Sequence, residues 1–141
     1  MGIRVRKLEQ FIKDSANDFY SHIKGFEGVV DSLLIISSFC KVKNIKLNNC
    51  KLPRKSSGKV GGTTDGQSIS IDFTDNHGLN YFLFWHEYAH FHLHFEAPSI
   101  RLTLKEKEQE ADIFATYMCD MMFPGMYDNW VSLARDNPAA R

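Results

Sequence analysis

Cysteine is scarce in this chain: among its 141 residues only Cys40, Cys50 and Cys119 carry a thiol. Their odd number and wide spacing argue against a disulfide framework, and the absence of a Cys-x-x-Cys pair argues against a zinc finger. Scattered cysteines of this kind are typical of proteins in a reducing compartment. We therefore expect a cytoplasmic protein.

The chain also lacks an excess of charge of either sign and any long apolar run. Its 17 lysine and arginine residues balance 17 aspartate and glutamate residues, so the charge does not indicate direct contact with nucleic acid or with an anionic membrane. No apolar run approaches the about 20 residues of a membrane-spanning helix, and the basic start leads into an amphipathic stretch instead of a signal core. We expect one soluble domain over residues 1–141 that binds neither DNA nor membrane, and the sequence leaves its oligomeric state open.

The periodicity of the apolar residues predicts a mixture of helices and strands, and therefore an α+β fold. Helices are predicted over residues 4–24, 79–95 and 104–122, with a short one around Trp130 and Leu133, and strands over residues 44–52 and 68–73. The apolar stretch 29–39 fits a helix or a strand, and its Asp31-Ser32 start favours the helix. Residues 54–67, with four glycines, are predicted to form a loop.

Residues 86–90, His86-Glu87-Tyr88-Ala89-His90, place two histidines four positions apart with a glutamate directly after the first. On a helix this spacing brings both imidazoles to one face, where they can bind a single metal ion. Glu87 is then close to the metal but offset from the ligand pair, so it can act as general base toward water that the metal polarises. This HExxH pattern is typical of zinc hydrolases. The alternative is that both histidines are hydrogen-bonded core residues of a buried helix.

A catalytic zinc needs a third protein ligand and one open position. The metzincin extension of the motif would require glycine and histidine where Leu93 and Glu96 stand, so Glu96 remains only a minor candidate. His94 follows His90 by one turn, but three ligands on one straight helix fit a tetrahedral site poorly. We therefore expect His92 and His94 to be flanking or cleft residues and not ligands.

The acidic helix that follows supplies the preferred third ligand, Glu108. Asp112 lies one turn further and can accept the free ring N–H of a metal-bound histidine. Glu110 is expected to point elsewhere on the helical wheel. Ala111 and Ala115 share the face of Glu108 and would let this helix approach its neighbour closely. The alternative is that the carboxylates form a solvated face that interacts with the helix dipole.

Residues 69–124 resemble the ImmA/IrrE family of small intracellular metallopeptidases, some of which are encoded beside mobile elements. The resemblance rests on an isoleucine-rich strand, on His86 to His90 with His94 one turn on, and on the run Glu108-Gln109-Glu110-Ala111-Asp112-Ile113-Phe114-Ala115. The chain departs from the family at Tyr88-Ala89, where Leu-Gly is usual, and at Phe123-Pro124, where a Met-Pro usually arrives earlier. The resemblance implies a small antiparallel sheet packed against helices, with a gluzincin-like core made of the HExxH helix and a downstream glutamate helix.

The motif and the resemblance lead us to expect a zinc-dependent metallopeptidase. His86, His90 and Glu108 would hold Zn²⁺, and Glu87 would be the catalytic base. Four residues are available to stabilise the oxyanion, with no spacing rule that selects among them: Tyr88, His92, Tyr117 and His77.

The substrate is expected to be a protein or peptide. The strand with Ile69, Ser70 and Ile71 precedes the metal helix, and we expect its open edge to bind extended peptide by strand addition. Resemblance to the family implies that the substrate or partner is a helix-turn-helix repressor, and we expect it to be a separate protein because this chain has no segment left over for such a domain. The alternative function is a regulatory binding module that does not cleave its partner, whose metal site would be closed by a fourth protein ligand, His94 or Glu96.

Overall fold

The α+β class predicted from the periodicity is confirmed by the computed structural model, which describes residues 2–24, 31–52, 62–95 and 102–122. Within these residues the chain forms four α-helices, one π-helical turn and three strands. In chain order they are α1 (Gly2–Ile23), α2 (Ser32–Val42), β1 (Lys46–Asn49), β2 (Gly62–Thr64), β3 (Ser68–Ile71), α3 (His77–Ala89), the π-helical turn (His90–Phe95) and α4 (Leu104–Met122). None of the described helices is both long and apolar enough to cross a membrane.

Most predicted elements are present, with one difference after the motif and one in the predicted loop. The stretch whose class was left open is helical as α2, and the predicted 79–95 helix changes from α to π geometry at His90. β2 lies within the stretch predicted to be a loop. The predicted short helix around Trp130 and Leu133, the side chain of Glu96 and the Phe123-Pro124 pair lie outside the described residues.

Polar side chains determine where the two site helices begin. The Asn76 side chain accepts a hydrogen bond from the backbone N–H of Leu79 at 3.0 Å and caps α3. At the start of α4, Thr103 Oγ1 accepts from the Glu106 N–H at 3.1 Å, while the Glu106 carboxylate accepts from the Thr103 N–H at 2.9 Å. This reciprocal capping box fixes the first turn of α4, just before Glu108.

The three strands form a mixed sheet in the order β1-β3-β2. β2 and β3 are antiparallel because only residues 65–67 separate them, whereas β1 and β3 are parallel. The prediction of a small antiparallel sheet is therefore wrong for the pairing of β1 with β3. The longer path from β1 to β3, which passes through β2, gives the chain enough length to return in the same direction.

β3 is the central strand of this sheet, so the open edge predicted at Ile69, Ser70 and Ile71 is wrong. β1 pairs with one side of β3 and β2 pairs with the other. Ile69 and Ile71 are fully buried, as their alternation predicts, but alternation does not reveal which strand is central. Among the described residues β2 pairs only with β3, which leaves the outer edge of β2 without a strand.

Helix α3 is the buried centre of the fold. Its Phe84 and Trp85 are fully buried, and the Trp85 ring meets Phe19 of α1 edge-on with 5.0 Å between ring centroids. α4 packs on α3 with Ala111 and Ala115 fully buried, which agrees with the predicted close approach. Since α3 also contacts β2 and β3, it holds the HExxH residues between the sheet and α4.

Candidate metal centre

Three side chains predicted as metal ligands converge at the end of α3, and Glu108 directs one carboxylate oxygen toward each histidine. His86 Nε2 lies 3.2 Å from His90 Nε2 and 3.0 Å from Glu108 Oε2, and His90 Nε2 lies 3.1 Å from Glu108 Oε1. In a tetrahedral zinc site with bonds of about 2.0–2.1 Å, neighbouring donors stand about 3.3 Å apart. The three side chains therefore form a group that could hold a metal ion, and the two imidazoles with one carboxylate are a donor set that suits zinc.

The donors come from two consecutive helical segments, the HExxH segment and α4. His86 and His90 are one turn apart and share a helix face. Glu108 lies in the second turn of α4, which packs against α3 with the small side chains of Ala111 and Ala115 fully buried. The side chains of His86, His90 and Glu108 are mostly buried, with 14%, 12% and 27% of their surfaces exposed.

The donor group lies in a cleft of about 260 Å³ between β2 and the first turns of α4. The cleft is lined by Gly62, Thr63, Thr64, His86, Glu87, His90, His94, Leu104, Lys107 and Glu108. All three residues of β2 belong to its wall. Lys107 brings a positive charge to the opposite wall, beside the predicted ligand Glu108.

Glu87 is buried, with 8% of its surface exposed, and lies on the cleft wall against β2. A methyl group added to Gly62 would stand 2.7 Å from Glu87 Cγ and 3.1 Å from Glu87 Oε2. Only glycine leaves enough space at this position. Sequence reasoning identified Glu87 but missed Gly62, because β2 was not recognised as a strand.

Asp112 lies where the sequence predicts it, beside the ring nitrogen of His86 that faces away from the donor group. Its Oδ1 is 2.9 Å from His86 Nδ1, so it can accept the N–H of that ring while Nε2 faces the donor group. Burial alone would lower the pKa of His86, but the hydrogen bonds to Asp112 and Glu108 outweigh it and raise this pKa to about 10. A metal ion at this site must therefore displace a proton.

His94 and Glu110 extend the site behind His90, which corrects the prediction that Glu110 points elsewhere. His94 Nδ1 is 2.8 Å from His90 Nδ1, and His94 Nε2 is 2.9 Å from Glu110 Oε1. On the helical wheel of α4, Glu110 does not share the face of Glu108 that points to the donor group. The π-helical turn places His94 so that it contacts α4 at Glu110 instead. His94 therefore lines the cleft, as expected of a flanking residue, but its ring nitrogens face His90 and Glu110.

The four oxyanion candidates are not among the residues that line the described cleft. Tyr88 is buried in the aromatic core, with its ring 4.5 Å from that of His92. His77 Nδ1 lies 2.7 Å from Ser32 Oγ, and Tyr117 is 57% exposed on α4. The oxyanion role is therefore left unassigned among them.

Comparisons with family models, with curated proteins and with solved structures found no match to this chain.

Proposed function

We propose that the protein is a zinc-dependent metallopeptidase of the kind that the resemblance to the ImmA/IrrE family implies. The observation that carries the proposal is the convergence of His86, His90 and Glu108 within 3.0–3.2 Å of one another, beside the buried carboxylate of Glu87. In this proposal the first three residues hold zinc and Glu87 is the general base.

The small number of donors supports a catalytic site over a structural one. Structural zinc sites are closed by four protein ligands, whereas catalytic sites keep one position open. Within the described residues the group comprises three donors. Two further candidates among the described residues face other partners, since Asp112 lies against His86 Nδ1 and the ring nitrogens of His94 face His90 and Glu110.

Each group at the cleft has a separate task in peptide hydrolysis. Zinc, when bound, supplies Lewis acidity toward water and the scissile carbonyl. Glu87 takes the proton of the attacking water and passes it to the leaving amine, which is the work of a general base and then a general acid. The low exposure of Glu87 favours this role, because a base that is shielded from bulk water retains its proton for the leaving group.

Substrate binding is proposed at β2 instead of β3. The outer edge of β2 is open among the described strands, and Gly62, Thr63 and Thr64 all line the cleft. An extended peptide that adds to this edge would run past the donor group. Main-chain hydrogen bonds would then hold it with little dependence on its sequence.

The partner is proposed to be a helix-turn-helix repressor, which the resemblance to the ImmA/IrrE family implies. The balanced charge of the chain agrees with an effect on transcription through another protein and not through DNA. In the alternative, the protein binds the repressor without cleaving it. Co-expression with candidate repressors separates the two, because only cleavage requires the Glu87 carboxylate.

The function is tested by pairing Glu87→Gln with Glu9→Gln, the same chemical change at an exposed position of α1. Zinc-loaded proteins are incubated with candidate repressors and with a peptide library, and products are identified by mass spectrometry. We expect cleavage by the wild type and by Glu9→Gln, and none by Glu87→Gln, with equal zinc content in all three. Cleavage by Glu87→Gln at the wild-type rate would contradict the mechanism. Repression relieved equally by Glu87→Gln would favour the binding module.

A further inference from the structure

A chain of hydrogen-bonding groups leads from His90 away from the cleft. His90 Nδ1 faces His94 Nδ1 at 2.8 Å, and His94 Nε2 faces Glu110 Oε1 at 2.9 Å. The side chains of His94 and Glu110 are 2% and 13% exposed. Solvent therefore has little access to these hydrogen bonds, and each ring nitrogen must find its partner within the chain.

The chemistry of the last group determines the direction of every bond in this chain. An ionised carboxylate only accepts hydrogen bonds, so His94 Nε2 must carry the proton that faces Glu110. In a neutral imidazole the other nitrogen then accepts, which makes His94 Nδ1 the acceptor and His90 Nδ1 the donor. With its proton on Nδ1, a neutral His90 offers the lone pair of Nε2 to a metal ion that it would share with Glu108, whose Oε1 lies 3.1 Å away.

We propose that His94 and Glu110 are positioning residues that act together to hold His90 in its metal-binding tautomer and orientation. The inference rests on the proposed metal site, and it assigns to His90 the kind of support that Asp112 gives directly to His86. The support of His90 is indirect because an imidazole stands between the ligand and the carboxylate. The π-helical turn His90–Phe95 contains both His90 and His94, so this local change of helix geometry belongs to the site.

Removal of either positioning residue should weaken zinc binding because His90 loses its hydrogen-bonded support, while the fold is retained. Loss of an outer partner of a metal ligand typically lowers metal affinity by about 10- to 100-fold. We expect a loss of this size in His94→Phe and in Glu110→Leu. Glu110→Gln keeps an acceptor oxygen of similar shape, and we expect it to lose less affinity than Glu110→Leu.

The test combines zinc affinity with a spectroscopic signature of the ring-to-ring bond. Zinc dissociation constants of the full chain are measured by chelator competition for the wild type, the three variants and Gln109→Ala, an exposed neighbour of Glu110 that serves as control. In parallel, zinc-loaded wild type with ¹⁵N-labelled histidine is examined for a scalar coupling between His90 Nδ1 and His94 Nδ1 across their hydrogen bond.

We expect to observe the coupling in the wild type and to lose it in Glu110→Leu. Zinc affinity should decrease from the wild type to Glu110→Gln and again to Glu110→Leu. Gln109→Ala should bind zinc as tightly as the wild type. A wild type that binds zinc without the coupling, or variants that bind as tightly as wild type, would overturn this inference and leave the proposed function intact. A wild type that binds no zinc would overturn both.

Discussion

Gly62 and Glu87 lie so close together that the space for a side chain on Gly62 is occupied by the Glu87 carboxyl arm. A Cβ at Gly62 would meet Glu87 Cγ at 2.7 Å and Ile71 Cδ1 at 3.2 Å. Contacts this short force one group to move, and Ile71 is fully buried in the core. The edge strand β2 therefore limits where the proposed catalytic base can stand.

Gly62→Ala is expected to displace Glu87 and to lower peptidase activity while zinc binding persists, because the three atoms nearest to the new methyl group belong to Glu87 and Ile71 and not to a proposed zinc ligand. A misplaced catalytic group costs on the order of 100-fold in rate. Activity and zinc content are measured on the same preparation. Activity equal to wild type in Gly62→Ala would show that β2 does not position the base.

Gly66→Ala is the matched control for this substitution, since it makes the same change in the turn that joins β2 to β3. Gly66 has a φ of 84°, so alanine is strained there by about 1–2 kcal/mol. We expect a lower thermal midpoint but unchanged activity per folded molecule, measured by calorimetry and by active-site titration.

Zinc is expected to stabilise the folded protein, because the donors converge only in the native structure. Free zinc at about 100 times its dissociation constant should add about 2.7 kcal/mol to the free energy of unfolding. His86→Ala should lose this gain, whereas Glu87→Gln should keep it, as thermal unfolding with zinc or with chelator will measure. A zinc-induced gain that survives in His86→Ala would mean that the metal binds elsewhere.

Ala111→Leu is expected to push α4 away from α3 and so to weaken zinc binding. Ala111 is fully buried between Glu108 and Asp112 in the sequence of α4, and overpacking of this kind costs about 1–3 kcal/mol. Ile113→Leu, at an exposed position of the same helix, is the control. We expect both the free energy of unfolding and zinc affinity to fall only in Ala111→Leu; unchanged zinc affinity there would contradict the role of close helix packing.

The three thiols are expected to differ in reactivity, because Cys40 and Cys119 are buried and Cys50 is exposed. Burial raises the pKa of Cys40 and of Cys119 to about 12. In the unfolded chain a thiol has a pKa of about 8.5. Because the unfolded thiols then lose their protons before the folded ones do, the free energy of unfolding should fall as the pH rises from about 8.5 toward 12. A chromogenic thiol reagent at pH 8 should modify one cysteine in the native protein and three in denaturant. Rapid modification of Cys119 in the native protein would contradict its burial.

The local part of the site could be predicted from sequence, since it depends on spacing along single helices. The four-residue step from His86 to His90 defines a shared face, and the same step from Glu108 to Asp112 predicts one carboxylate at the donor group and another behind His86. Ala111 supplied the packing signal that brings the helices together.

The other parts of the fold and of the site depend on contacts between distant segments, which no short sequence pattern specifies. β2 has three residues, Gly62–Thr64, with no apolar alternation, so nothing in its sequence separated it from the surrounding glycine-rich loop. The central place of β3 follows from long-range strand pairing. Glu110 was assigned away from the site because its position on the helical wheel of α4 differs from that of Glu108. The His90-x-x-x-His94 spacing was the signal that could have prompted a search for a carboxylate partner.

The most direct test of the account is zinc-edge anomalous diffraction from crystals of the zinc-loaded protein. We expect one anomalous peak per chain, contacted by His86 Nε2, His90 Nε2 and a Glu108 carboxylate oxygen, with the fourth position held by a non-protein oxygen. A peak elsewhere, or a fourth protein side chain on the metal, would contradict the central claim that these three residues form an open catalytic zinc site.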